Sequence, residues 1–309
     1  KMGVDFDKSM TKIKSLVGVA GDAVDEMGKQ ARQMAIETGI SSTKAADALF
    51  FITSAGLRGE EAMQVLNASL KASAVGLGEV ANIADLATSA MNAYGSDTLT
   101  ASGATDVLVA AVREGKLSAE ELAGSMGSVL PTASALGVSF NDVGAAMAAM
   151  SRTGTDAAQG ATQLNAILMG ITKTGPAQDK AFKAMGLSAA GLRKEIKEKG
   201  LLSVIKTLKT GLDGNTKAAT VLFPNIRALK GVLDLTGKGA AANAVIFKNM
   251  ENVLNDTQKA FDKNAQSAGF KLTKALNTAK ESFSQMGAVL LKSLLPLIQD
   301  LAGVVTRVF

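Results

Sequence analysis

Gly137-Val-Ser-Phe-Asn-Asp-Val-Gly-Ala-Ala-Met-Ala-Ala-Met-Ser-Arg-Thr-Gly154 decides the fold class. Ser139 stands where a helix begins: its hydroxyl can accept from a free amide of the first turn, and Asp142, three residues on, either returns the bond or favours the positive end of the helix. Ala146, Met147 and Met150 follow at helical spacing, and Gly154 stops the run. The same design occurs earlier, where Gly39-Ile-Ser41 opens a helix containing Ala48, Leu49 and Ile52 that is followed by Gly56. In both copies a second helix follows at once, near Glu60-Glu61-Ala62 and near Asp156-Ala157-Ala158. Two helical hairpins of one design therefore bracket a middle section, and Gly186-Leu-Ser188 reads as a third, worn start.

Working outward, further helix starts are marked by Ser42 and by the box Ser118-Ala-Glu-Glu121, and helix stops by Gly56, Gly78, Gly95, Gly115, Gly137, Gly154 and Gly175. Residues 1–37 read as one helix, with Ile13, Leu16, Val17, Ala20, Val24 and Met27 at three- and four-residue steps and Gly39 ending it. Residues 176–240 are more basic and more broken. Toward the C-terminus Leu272, Leu276, Ala279, Phe283, Met286, Leu290, Leu294, Leu297, Leu301, Val304 and Val308 alternate in steps of four and three, with one stutter between Leu290 and Leu294. That is a heptad seam, and its eleven positions are the expected oligomer interface. Pro296, just after the stutter, is expected to kink or interrupt the helix.

The expected fold is all-α: helical hairpins with a long C-terminal coiled-coil helix, in an elongated oligomer. Its segments are an N-terminal helix at 1–38, a repeated hairpin core at 39–175, a basic helical connector at 176–240, and a long helix carrying the seam at 241–309. Both ends fall inside helical patterns, which reads as a segment of something longer. No charged-then-apolar leader opens the chain, and no uninterrupted apolar run of about eighteen residues is present to span a bilayer.

Composition agrees with this and narrows the chemistry. The 309 residues are 47% hydrophobic but only 4% aromatic, so the core is built mainly from small and unbranched side chains that suit close helix packing. There is no His, Cys or Trp. Without imidazole or thiolate the chain has no Ser-His or Cys-His nucleophile system and no zinc or copper site of the usual ligands. No catalytic, cofactor-binding or metal-ligating residue is assigned. Charge is uneven: residues 1–160 carry 12 basic and 18 acidic groups, residues 161–309 carry 21 and 10. A basic half suits contact with nucleic acid or an anionic membrane, but a solvated helix face is the commoner cause, and no aromatic residues are interleaved with Lys194, Lys197, Lys199, Lys206 and Lys209 to stack on bases.

Several stretches imitate functional motifs and fail on context. Val75-Gly-Leu-Gly78-Glu-Val-Ala81, with Asp97 downstream, needs a strand before its first glycine to bind a dinucleotide, whereas Ala62 to Ala74 reads as helix. Gly231 to Gly239 has the wrong glycine spacing for a P-loop and places Gly after Lys238. Glu60/Glu61 and Glu120/Glu121 fall in first turns, where acids favour the helix dipole, so they read as helix starts rather than a glycosidase pair. Glu281-Ser282 with Gly287-Ala288 is a poor match to a transglycosylase motif and reads as structure. Met286 to Phe309 is apolar enough to touch a membrane, yet Lys292, Pro296, Asp300 and Arg307 interrupt it, and a buried seam explains the same pattern.

Thr53-Ser-Ala-Gly-Leu-Arg-Gly-Glu-Glu-Ala-Met63, Ala84-Asp-Leu-Ala-Thr-Ser-Ala-Met-Asn-Ala-Tyr-Gly95, Ser118-Ala-Glu-Glu-Leu122, Ala135-Leu-Gly-Val-Ser139 and the stretch from Arg152 through Leu168 carry a resemblance. In this order over about residues 31–170 the chain resembles the core region of tape-measure proteins of long-tailed bacteriophages. It departs from the family's pattern at Gln159-Gly-Ala-Thr162, and after about residue 175 the likeness is only of type. The resemblance implies a helical virion protein in the lumen of the tail, made in the host cytoplasm. Such a protein acts as ruler and scaffold for tube assembly and binds tail-tube and tail-tip proteins. It leaves ahead of the genome, which would bring it to the host membrane and phage DNA. The resemblance further implies a small symmetric self-assembly, with three copies expected. A membrane-active helical toxin or pore former is the alternative the residues leave open.

Overall fold

The computed structural model describes the backbone of residues 2–18, 20–224 and 226–308, with side chains described except at 2–4, 119, 226, 288, 290–292 and 295–308. Among these residues all regular structure is helical, as the all-α reading expects. The N-terminal third contains α1 (Met2–Lys12), α2 (Gly21–Thr38), α3 (Ser42–Ser54), α4 (Gly59–Ala74), α5 (Val80–Tyr94) and α6 (Ala101–Glu114). There follow α7 (Ala119–Met126), α8 (Leu130–Leu136), α9 (Phe140–Arg152), α10 (Ala157–Thr172), α11 (Pro176–Ala184) and α12 (Ala189–Leu212). The rest is α13 (Thr216–Leu222), α14 (Ile226–Thr236), α15 (Ala240–Met250), α16 (Asp256–Ala265) and the long α17 (Ala268–Val308).

One three-residue device punctuates the chain three times. Gly39, Gly137 and Gly186 adopt φ of 70°, 75° and 71°, a left-handed conformation that side chains disfavour. The amide after each glycine then reaches back five residues, Ile40 to Ala35 at 3.0 Å, Val138 to Ala133 at 2.9 Å and Leu187 to Phe182 at 2.8 Å, closing the preceding helix. One residue later a serine opens the next: Ser41 accepts from the Lys44 amide at 3.3 Å, Ser139 from Asp142 at 3.0 Å and Ser188 from Gly191 at 3.0 Å. Orphan groups at both helix ends thereby find partners without an intervening loop. The third start is thus as well formed as the other two. Removing one such hydroxyl, as in Ser139→Ala, is expected to cost about 1 kcal/mol, read as a lower urea midpoint at unchanged slope.

Elsewhere the local reading needs correction. Residues 1–37 are not one helix: a π-helical turn at Ile13–Val17 runs into left-handed Gly18, and the chain restarts as α2. The break lets α1 lie on α3 while α2 lies on α4, and it leaves Leu16 exposed. Ser41, not Ser42, caps α3; Ser42 is the first residue inside the helix and is buried. Gly115 ends α6 without a left-handed φ, and its reason is space, since a Cβ there would lie 2.8 Å from Ser151 Oγ. Asp142 does not return a bond to Ser139's backbone; its carboxylate accepts from the Leu201 amide at 3.1 Å. That amide follows Gly200, where φ of 78° splits α12 into two helical pieces. Burial pushes the Asp142 carboxyl up, Leu201 and Ser139 oppose the rise, and the charge of Glu251 adds to it. The long terminal helix is confined to Ala268–Val308 and passes through Pro296 without interruption. Residues 240–265 instead form α15 and α16, separated by left-handed Asn255.

The apolar core is one continuous cluster running from Phe6 to Val253. Its alanines, among them Ala45, Ala48, Ala84, Ala104 and Ala146, are fully buried and allow the helix axes to approach closely. At Gly144 a Cβ would sit 2.6 Å from Val107, so this crossing of α9 with α6 admits no side chain. α15 covers α9, α16 covers α6 and α4, and α14 covers α10, so the basic second half is wrapped on the first. Among the described residues none of α17 belongs to the core cluster.

Candidate functional site

α17 meets the body at α1, α2 and the end of α16, and it does so by its polar face. At 3.6 residues per turn, Phe270, Lys274, Asn277 and Glu281 share one side of the helix, roughly opposite the heptad stripe. Asn277 donates its amide to the carbonyl of Gly39 at the end of α2, and Phe270 packs over Gly39 and edge-on against Phe261. The seam therefore faces away from the body. Leu272, Leu276, Ala279, Phe283, Met286 and Leu294 are all exposed, Leu272 at 63% and Phe283 at 70%. Leu290, Leu297, Leu301, Val304 and Val308 lie outside the residues whose side chains are described.

Glu281 is the anchor of this arrangement and is only 4% exposed. Its carboxylate accepts from Arg32 Nη1 at 2.5 Å, from the Ser42 hydroxyl, and from Gln285 at 3.3 Å. Arg32 is itself held over the ring of Phe6 at 3.5 Å and reaches Asp7 at 3.5 Å. Burial works to raise the Glu281 carboxyl, but the bonds from Ser42, Arg32 and Gln285 outweigh it and hold the group below its ordinary value. A carboxylate lowered on folding contributes stability that is complete above the unfolded value, about 4.3, and is lost as pH falls through the folded one. Docking of α17 should accordingly loosen below about pH 4 and be indifferent to pH near neutrality. Because the chain has no native Cys, spin labels at Gln33→Cys and Lys280→Cys should report a distance distribution that broadens over that acid range. In a Glu281→Gln background the dependence should disappear.

Sequence reasoning missed the side chains that close helix ends from far away. Asp106, inside α6 and 2% exposed, accepts from the amides of Asn255 at 2.7 Å and Thr257 at 2.8 Å, and so caps α16. Asn264 donates to Ala74 at the end of α4, Asn141 to Met250 at the end of α15, and Asn243 to Asp234 and Leu235 near the end of α14. The glycines and acids of several imitated motifs fall at helix ends or inside helices. Gly76 and Gly78 turn the chain after α4, with the Leu77 amide bonded to Ala72, and Gly231 lies inside α14. Glu60 and Glu61 sit in the first turn of α4, while Glu121 completes the capping box with Ser118. Among the described residues no group of three or more Asp or Glu is placed to hold a metal ion.

The family model for phage-related minor tail proteins matches residues 28–223, which run from within α2 to the end of α13. The chain belongs to that family. It is 24% identical over 314 aligned positions to the tape measure protein of Pneumococcus phage Dp-1, covering all of this chain and 27% of that protein. It is 26% identical over 296 positions to the probable tape measure protein of Clostridium phage phiCD119, covering 93% of this chain and 31% of that one. The chain thus spans about three tenths of the length of these curated relatives. No solved structure matches it. The matches agree with the resemblance carried by the motifs between Thr53 and Leu168.

In the basic half the five lysines at 194, 197, 199, 206 and 209 are all exposed, and three of them touch neighbouring groups. Lys194 lies 3.7 Å from Glu198, Lys209 donates to the Thr236 carbonyl, and the stem of Lys197 packs on Gly137. Lys199 and Lys206 are exposed. Among the described residues no helix is long and apolar enough to cross a membrane.

Proposed function

We propose that the chain is a structural segment of a tail tape-measure protein: it is carried in the tail lumen, takes part in the scaffold and ruler on which the tube is assembled, and meets tail-tip proteins. It acts without catalysis and leaves ahead of the genome. Copies join through the α17 seam from Leu272 to Val308 into a small oligomer, with three copies as the expected number. The observation that carries this reading is the orientation of α17. Burying charge in a helix interface while leaving a stripe of Leu, Phe and Met in water is unfavourable for an isolated molecule, and it becomes favourable once the stripe is covered by a partner. The family membership and the two tape-measure relatives support the tail setting.

Virion proteolysis tests the location. In intact virions the 33 Lys and Arg of this segment should be protected from trypsin and become cleavable once the tail is opened or has ejected. Cleavage at the same rate in intact virions as in the free chain would contradict the reading.

A further inference from the structure

On the side of α2 away from α17 there is a groove of about 530 Å³ between α2 and α4. Its floor is methionine, with Met27 and Met63 buried and Met34 half-buried, and its exposed rim includes Glu26, Gln30 and Glu60. Met27, Gln30 and Met34 follow the same steps of three and four as the seam. Methionine is adaptable in shape and suits a surface that receives an apolar helix. Counting 100° per residue, Arg32, which grips Glu281 of α17, lies roughly half a turn around α2 from this groove. The seam in turn lies on the far side of α17 from Glu281. Groove, α2, α17 and seam are therefore stacked in that order, and a molecule's own seam points away from its own groove.

Charge fits the same pairing. Lys271 and Lys280 are exposed and flank the seam on its two sides, while Glu26 and Glu60 rim the groove. Glu26 has an exposed Lys29 partner at 3.4 Å. Arg58 also lines the groove, but its guanidinium is turned to the backbone carbonyls of Thr53 and Leu57. We infer that the α2/α4 groove receives the Leu272–Met286 part of the seam from a second copy of this chain. The contact is heterologous: it closes as a ring or runs on as a stack according to the rotation between copies. This rests on the reading of the seam as an interface and names the surface it meets.

Two variants of the whole chain test it. Leu276→Asp with Phe283→Asp removes the seam and leaves the groove; Glu26→Lys, Gln30→Lys and Glu60→Lys spoils the groove and leaves the seam. All five positions are exposed, so both variants should keep the wild-type circular dichroism. By light scattering each alone should be monomeric, and an equimolar mixture should give a 1:1 dimer of twice the monomer mass. If the groove variant assembles like wild type while the seam variant is monomeric, seams pair with one another and the groove inference is overturned while the interface reading stands. Two monomeric variants that fail to combine also overturn it. If the seam variant keeps the wild-type mass, or the wild type is itself monomeric, both readings fail.

Discussion

Replacing Asp106 by Ala should cost about 3 kcal/mol, since it strands the buried amide of Thr257, at roughly 1–3 kcal/mol, together with the part-buried amide of Asn255. Asp106 is buried, and the amides of Asn255 and Thr257 have its two carboxylate oxygens as partners at 2.7 and 2.8 Å. The cost is not local to α6. Asn255 is the non-glycine residue with a left-handed φ among the described residues, and the turn it makes delivers α16 to its place on α4 and α6. With the cap gone, the Arg113–Asp256 pair at 2.6 Å and the Thr257–Thr105 bond lose the geometry that aligns them. Against a total stability of roughly 5–15 kcal/mol, such a loss should lower the urea midpoint far more than Ser139→Ala. Asp106→Asn keeps one acceptor oxygen and should fall between. A midpoint for Asp106→Ala within error of wild type would remove this carboxylate from the structural account.

The contrast between these two substitutions marks what the sequence could tell. Ser139 and the box at Ser118–Glu121 act within one turn, so their role is written in adjacent residues, and the Gly-Xxx-Ser stops are legible for the same reason. Even there the reading strays by one residue where Ser41 and Ser42 are equally good caps on paper. Asp106 meets Asn255 across 149 residues of chain, and no local pattern announces that pairing. Gly18 shows a different failure: the apolar spacing continues across it, and only the need to place α1 and α2 on different neighbours reveals the break. The seam itself was legible as a stripe. What it faces was not, because periodicity identifies an apolar face without saying whether it points into its own molecule. Glu281 settles that orientation, and in sequence it is one acidic residue within a helical run.

The seam predicts the second large effect. Leu276 and Phe283 are exposed and contribute nothing to the core, so Leu276→Asp with Phe283→Asp should leave the melting of the dilute chain nearly unchanged. In the assembled state the same change sets two charges in a dry interface at several kcal/mol each. Each 1.4 kcal/mol is a tenfold change in the association constant, so assembly should be lost over any practical concentration range. A destabilised monomer at unchanged mass would be the opposite outcome, and would mean that the stripe packs within its own chain.

The central claim is that α17 holds the body by its polar face and offers its apolar face to another copy, and a cysteine footprint along the helix tests it most directly. Single cysteines at Leu276, Phe283, Lys274 and Asn277 carry no background, because the chain has none of its own, and they leave the Glu281 anchor in place. At concentrations where the protein assembles, maleimide should react slowly at all four positions. On dilution to monomer, 276 and 283 should become fast while 274 and 277, half-buried against the body, stay slow. Fast labelling at 274 and 277 with 276 and 283 protected at every concentration would mean that the helix is turned the other way, and would contradict the account.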